Sequence, residues 1–457
     1  MRTDEPTRLQ IRFLGLPMAT LGFQEGRGHA LQFDPAFVRL GHDLSPLNMP
    51  LERYGKGLHV FATGDTPFPG ALPGLIADSL PDSWGERMLR AEVPGIVTPM
   101  GKLAAIGLRG PGALTYEPVL GAGGDESATI ENLGDLAREA EAMAASLPGA
   151  APEPLTSGAV RAALTRSGGT LGGAFPKVSA HLPQMPPDGA IIERSELLVG
   201  GPPPSGYAPA IVKFTMTADA EGAVEYAYWR MAKKAGIRVP RACLVADGRH
   251  RHFACARFDR IQQADGTWRH CHIHTLSGML HRNASDGGID YEDFMRLTRT
   301  LCGAKEAVEC FRRAVFNILA GNRDDHGRNH AFLYDPETRG WSLAPAYDMN
   351  PSIAKILIAL SWLGSTEIPA RISALYRLAA VGGIDPKDAL EVFRQVEQAV
   401  IGGWPQHALA AGVPTAKAAD WQRIIFPQTE ALRSDAKRIG MPALPVRPGT
   451  GGGARGI

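Results

Sequence analysis

Between Asn322 and Asn329 the chain reads NRDDHGRN, and a further acid, Asp348, follows in LAPAYDMNPS. Asp324 and Asn329 are five positions apart. At that spacing an Asp can orient an attacking hydroxyl while an Asn offers an oxygen to magnesium, the division of labour used in phosphoryl transfer. Asp348, just after a strand-like stretch, could supply the second ligand. Mg²⁺ takes hard oxygen donors together with the phosphate oxygens of a nucleotide. So many polar groups after an apolar helical stretch (311–320) are costly unless they meet each other, solvent or a ligand. Taken alone, a capped polar turn explains them as well.

Three upstream features fall in an informative order. Residues 168–177, GGTLGGAFPK, hold glycine pairs whose N–H groups can converge on phosphate oxygens without side-chain obstruction. No GK[ST] follows, so this is not a Walker A loop, and flexible glycine loops without ligands are common. Lys213 lies inside the apolar strand AIVKF, where an inward lysine needs an anion and an edge lysine needs nothing. Glu225 is placed in the first turn of a helix expected over 223–235, where the helix dipole alone would justify a carboxylate. It is also where a strand-lysine and helix-glutamate pair would set a nucleotide phosphate.

The elements that must carry these groups are legible in outline. The 457 residues, 44% hydrophobic and 21% charged, suggest two or three packed units at roughly 150 residues per domain. Lys+Arg at 48 against Asp+Glu at 47 gives no global grip on nucleic acid or an anionic membrane. Five cysteines without a CxxC pair point to reduced thiols and a cytoplasmic setting. The amino terminus has no apolar core for a secretory signal, and the apolar stretch 353–364 is too short to span and carries Lys355. Strands are expected at 9–13, 31–33, 190–192, 210–214, 242–246, 253–258, 331–334 and 341–343. Helices are expected from Asp82 or Ser83 to about Ala91, over 130–143, and through most of 291–439, with Gly236 stopping the 223–235 helix. No internal repeat is evident.

In this order the motifs resemble the HipA-type serine/threonine kinases, toxin components of bacterial type II toxin–antitoxin pairs. The amino-terminal part is similar through FPGALPGLIADSLPDSWGERMLR and LAAIGLRGPGALTYEP, the rest through GGAFPK, IVKF, ARFDR, NRDDHGRN and PAYD. The resemblance implies that Asp324 is the catalytic acid, that Asn329 and Asp348 hold Mg²⁺, and that Lys213 meets the phosphates of ATP. His326 and Arg328 would contact nucleotide, with Glu225 and Tyr347 also in the nucleotide site. Gly172, Gly173, Ala174 and Lys177 would form the phosphate loop, and Ala256 and Phe258 a hinge holding adenine through backbone groups. Ala256 stands where the family often has Glu, and Phe175 where it often has a polar residue. Thr170, or Ser167 close by, occupies the family's autophosphorylation position.

The expected architecture is α+β, a protein-kinase-like two-lobed fold. It divides into an amino-terminal subdomain (1–125), a connecting helix (126–155), a small lobe with the Gly-rich loop (156–265), a helical large lobe (266–440) and a disordered tail (441–457). The expected activity is transfer from ATP to a Ser or Thr of a host protein, in some relatives an aminoacyl-tRNA synthetase. A helix-turn-helix antitoxin would be the partner, and DNA would be reached only through it, with no membrane involved. The rivals are a small-molecule kinase on the same fold and a non-catalytic co-repressor. The cluster HCHIH (His270, Cys271, His272, His274) could suggest zinc, but alternating histidines solvated on one face explain it, and His281 adds nothing. Asp259 is read as a salt link to Arg257 or Arg260, and Ser83 lacks a hydrolase frame.

Overall fold

The computed structural model describes residues 5–120, 128–129, 133–145, 164–165, 167, 175–184, 188, 190–193, 197–215, 220–248, 250–282, 288–352 and 357–438. An amino-terminal sheet is built from β1 (Arg8–Phe13), β2 (Leu16–Gln24), β3 (Gly28–Phe33), β4 (His59–Phe61) and β5 (Leu114–Glu117), in the order β4-β3-β2-β1-β5. Alternation along β1 sends Leu9, Ile11 and Phe13 into a core with Leu21, Leu31 and Phe37. Strand β2 lay outside the expected strands because LPMATLGFQ has no clean alternation at either end.

The small lobe carries the larger sheet: β6 (Ala128–Thr129), β7 (Lys177–Pro183), β8 (Ile191–Glu193), β9 (Leu198–Val199), β10 (Tyr207–Lys213), β11 (Ala242–Asp247) and β12 (His250–Ala256), ordered β6-β9-β7-β10-β12-β11-β8. β10 is central, antiparallel to β7 on one side and β12 on the other, and the register sets Lys213 opposite Lys177. Under this sheet Val178, Val212 and Ala254 share a core with Leu136 and Met143 of the helix Leu133–Ala145. Trp84 and Met88, from the helix Ser83–Glu92, belong to the same core. That helix therefore packs across the expected boundary into the small lobe.

The helix Glu221–Lys234 ends where Ala235 caps it and Gly236 takes φ +80°. Its aromatic side packs in a core that joins Leu244 and Phe253 of the small-lobe sheet to the large lobe. Tyr228 and Trp229 lie in the large-lobe core with Phe294, Phe311, Phe316 and Trp404, and Tyr228 Oη donates to Ala320 O at 2.7 Å. Beyond the hairpin of β13 (Arg260–Gln262) and β14 (Trp268–His270), the large lobe holds a three-stranded sheet of β15 (His272–Thr275), β16 (Ala331–Asp335) and β17 (Gly340–Leu343). Around it pack helices including Tyr291–Cys302, Ala304–Ala320, Ile372–Val381 and Pro386–Val400. The architecture is α+β with two lobes and an added amino-terminal unit.

That unit docks on the large lobe through buried groups. Asp78 accepts His274 Nδ1 at 2.6 Å and the N–H and hydroxyl of Thr275 at 2.7 Å each, and Ser45 Oγ lies 3.0 Å from His274 Nε2. Gly74 abuts the carbonyl of Gly278 so closely that a Cβ at position 74 has no room. His272 and His274 are thus buried at this joint, not solvated as expected, and burial pushes His272 down to about 3. Among the described residues no three His, Cys, Asp or Glu side chains converge as a metal site.

Candidate active site

Lys213, at the end of β10, donates to Glu225 Oε1 at 2.5 Å and to Asp348 Oδ1. Burial opposes its charge, but Asp348 and then Glu225 outweigh it and hold the ammonium above the ordinary lysine range. Asp348 is partly buried, and Lys213 and then Lys177 outweigh that cost and keep its carboxyl below the ordinary range. With Asp348 as the ionised partner, burial pushes Glu225 upward against the pull of Lys213, and Asp348 adds to the push. Lys177 is 4% exposed, and burial lowers its ammonium, with Asp348 pulling back and Lys213 adding to the fall. Two lysines facing each other across a strand pair repel, so this register needs anions between them. The acids of the site supply that charge, and phosphate oxygens have the chemistry to share it.

Glu225 is not in the first turn as expected. The helix begins at Glu221, two residues earlier than its apolar periodicity suggested, so Glu225 falls in the second turn and faces Lys213 and not the helix dipole. Asp348 adopts φ +52°, a left-handed conformation that costs a non-glycine residue roughly 1–2 kcal/mol. Its carbonyl is supported by Asn322 Nδ2 at 3.5 Å.

The loop carrying Asp324 follows the helix Ala304–Ala320, which Gly321 ends at φ +70°. Asn322 Oδ1 accepts the Asp324 N–H at 3.3 Å, and Asn329 Nδ2 donates to Asp324 O at 2.8 Å. Asn329 therefore spends its donor end on the loop and turns its amide oxygen the other way. That oxygen and the ionised Asp348 are hard donors that fit a magnesium ion. The adjacent acid does the opposite of Asp324. Asp325 is 1% exposed, accepts Tyr291 Oη and Asn317 Nδ2, and is pushed up to about 6 by burial. His326 keeps a buried Nδ1 without a hydrogen-bond partner in this structure.

Arg328, expected to contact nucleotide, is engaged with the amino-terminal part. Its guanidinium pairs with Asp82 and donates to Leu80 O at 3.0 Å, both in the amino-terminal part. Asp82 is the N-cap of the helix Ser83–Glu92 yet makes no side-chain cap bond, forgoing about 1 kcal/mol of helix stabilisation. Trp84, from the first turn of that helix, donates Nε1–H to Lys177 O at 2.9 Å. Asp82 and Trp84 escaped the sequence reading of the site because only the tertiary fold brings them to it.

At the hinge, Phe258 and Tyr347 stack at 5.6 Å between ring centroids, and Tyr347 Oη donates to Arg328 O at 2.7 Å. The N–H of Ala256 donates to Arg241 O at 2.8 Å and that of Arg257 to Pro209 O at 3.0 Å. Both of these N–H donors are spent within the fold. Asp259 pairs with Arg257 at 2.6 Å and with Arg260 at 2.5 Å, as its sequence context suggested. Ser167 is buried and donates to Leu164 O at 3.4 Å. Thr170, Gly172, Gly173 and Ala174 lie outside the described residues, as does the carboxy-terminal tail.

Comparison with known proteins agrees with this layout. Residues 169–404 match the model described as HipA-like C-terminal domain, and residues 9–117 the HipA N-terminal domain. The protein Y4mE of Sinorhizobium fredii is 31% identical over 154 residues, 32% of this chain and 35% of that protein. The serine/threonine-protein kinase toxin HipA of Shewanella oneidensis is 28% identical over 146 residues, 27% of this chain and 33% of that one. The chain thus spans about a third of the length of these two relatives. A chain from the solved Shewanella oneidensis complex of HipA, HipB and operator DNA superposes at TM-score 0.69 and 17% identity, covering 95% of this chain and 100% of its own, which marks a common fold.

Proposed function

This chain belongs to the HipA family, and on that premise we propose that it is an ATP-dependent serine/threonine protein kinase acting as a toxin. The observation that carries the proposal is the meeting of Lys213 with both Glu225 and Asp348, on the cleft that the Asp324 loop also faces. Lys213 and Lys177 neutralise the phosphates of the nucleotide, and Asp324 orients the acceptor hydroxyl for in-line attack on the γ-phosphorus. The hydroxyl oxygen bonds to phosphorus as the bond to ADP breaks, and the hydroxyl proton passes to Asp324. Bound magnesium, which Asn329 and Asp348 would hold, supplies charge neutralisation between the phosphates. Phe258 and Tyr347 form the wall beside the adenine.

We further propose a helix-turn-helix antitoxin as the partner, supported by the fold shared with a chain of a HipA–HipB–DNA complex. DNA is then reached only through that partner, in the cytoplasm. Among the described residues no helix is long and apolar enough to cross a membrane. Self-phosphorylation in the Gly-rich loop, at Thr170 or Ser167, belongs to the same proposal. The buried Ser167 makes Thr170 the better acceptor.

The test supplies γ-labelled ATP and Mg²⁺ to the purified chain, once with lysate protein and once with a metabolite pool. Label on Ser or Thr of protein is the expected result. Label confined to metabolites would replace the reading with a small-molecule kinase, and none in either with a co-repressor. Mass spectrometry of protein from the wild type and from Asp324→Ala reads the loop, with phosphate on Thr170 in the wild type alone expected.

A further inference from the structure

We infer that residues 80–84, which belong to the amino-terminal unit, position both walls of the nucleotide cleft. Leu80 and Asp82 hold Arg328 of the catalytic loop, and Trp84 holds the strand that starts at Lys177. The inference rests on the kinase reading above and adds positioning residues to it.

The segment has a fixed base. The amino-terminal unit is bonded to the large lobe at Asp78 with His274 and Thr275, and closed against it at Gly74 and Gly278. It is bonded to the hinge as well, where the N–H of Gly112 donates to Asp259 Oδ2 at 3.1 Å and Arg260 Nη2 donates to Gly110 O at 3.0 Å. From that base the chain reaches to the other side. Trp84 is 1% exposed within the small-lobe core, and its N–H ends on the backbone of Lys177. One short segment therefore touches the large lobe through its aspartate and the small lobe through its tryptophan. It sets the distance at which the Lys177 strand faces the Asp324 loop.

The Asp82 side chain reports which task it serves. It stands at the N-cap but makes no cap bond, and it is directed to Arg328. Arg328 is four residues from Asp324, and its own carbonyl is held by Tyr347 Oη. A fixed guanidinium and a fixed carbonyl together pin that end of the loop. Neither Asp82 nor Trp84 touches reacting atoms in this scheme, so both are positioning residues and not catalytic ones.

The two contacts predict different kinetic signatures, read from steady-state ATP hydrolysis with water as acceptor. Asp82→Asn loosens the loop that orients the acceptor, so kcat falls about tenfold with KM for ATP little changed. Trp84→Phe keeps most of the ring volume and removes only the N–H, so KM for ATP rises several-fold while kcat is largely kept. Exchanging the charges, Asp82→Arg with Arg328→Asp, restores most of the kcat lost in either single variant. Hydrogen exchange reads the same contacts without catalysis, with faster exchange over 322–330 in Asp82→Asn and over 177–183 in Trp84→Phe. Unchanged exchange at both places overturns the inference, as do parallel changes of kcat and KM in both variants. If the wild type hydrolyses no ATP, the exchange data alone decide whether the segment holds the two walls, and the protein-labelling assay decides the kinase reading separately.

Discussion

The cluster around Lys213 and the loop around Asp324 face one cleft but are held in contrasting ways. The loop makes its shape from its own residues: Asn322 bonds the N–H of Asp324, and Asn329 bonds the carbonyl of Asp324. The cluster draws Lys177 and Lys213 from neighbouring strands, Glu225 from a helix that packs into the large-lobe core, and Asp348 from a strained turn. Removing a side chain from the loop should leave its backbone standing. Removing one from the cluster leaves charges without partners. Glu225 rides on a helix packed between the small-lobe sheet and the large lobe, so its pair with Lys213 ties the sheet to that shared core.

The largest effect expected is on the loop side. Asp324→Ala lowers phosphoryl transfer by about 10²–10⁴-fold while nucleotide binding, measured by calorimetry, stays within a few-fold. Full transfer in that variant removes Asp324 from the mechanism. On the cluster side, Lys213→Met leaves Glu225 beside Asp348 and costs about 3–5 kcal/mol in urea unfolding, because breaking a buried ion pair strands its partner. Adding Glu225→Gln to it recovers a large part of that loss. Equal stability of the single variant and the wild type would mean that the charges do not hold the cluster.

A third measurement sharpens the contrast within the loop, between neighbouring acids. Asp325 is pushed up to about 6 by burial, so the folded state favours its protonated form. Its contribution to stability is fully present below the unfolded value near 4 and is lost as pH rises through about 6. Asp325→Asn therefore flattens the stability profile over that window and gains about 3 kcal/mol on the wild type at neutral pH. A wild-type profile that is already flat there would show Asp325 to be an ordinary ionised acid. The smallest effect is expected from Asp348→Asn. Asparagine accepts the left-handed backbone, so the variant tests charge alone, and Mg²⁺-dependent nucleotide binding weakens by about tenfold. Binding of nucleotide without magnesium should change little or improve.

The loop was legible in the sequence because its chemistry and its shape lie within one short stretch. Lys213 was legible for a related reason, since a lysine in an apolar strand breaks a pattern that local reading can see. Glu225 was found, but the start of its helix was misjudged by two residues, because Glu221 and Gly222 carry no strong apolar signal. The fold class followed from the motif order, whereas β2 was missed for want of alternation. Asp82, Trp84 and the spent N–H of Ala256 were not legible. Each depends on which distant backbone the fold brings near, and nothing in the local pattern of DSWGE or ACARF marks such a neighbour. The burial of His272 and His274 was hidden for the same reason, since a strand face looks alike whether water or another subdomain covers it.

Where Gly74 meets Gly278, the joint between the amino-terminal unit and the large lobe is two bare backbones in contact. A hinge needs clearance, and this surface has none: a single methyl group would act as a wedge. Movement between the lobes has to be taken up elsewhere, and the small-lobe sheet is itself tied down through Trp84 and through the core it shares with the large lobe. The amino-terminal unit travels with the large lobe as cargo that cannot slip.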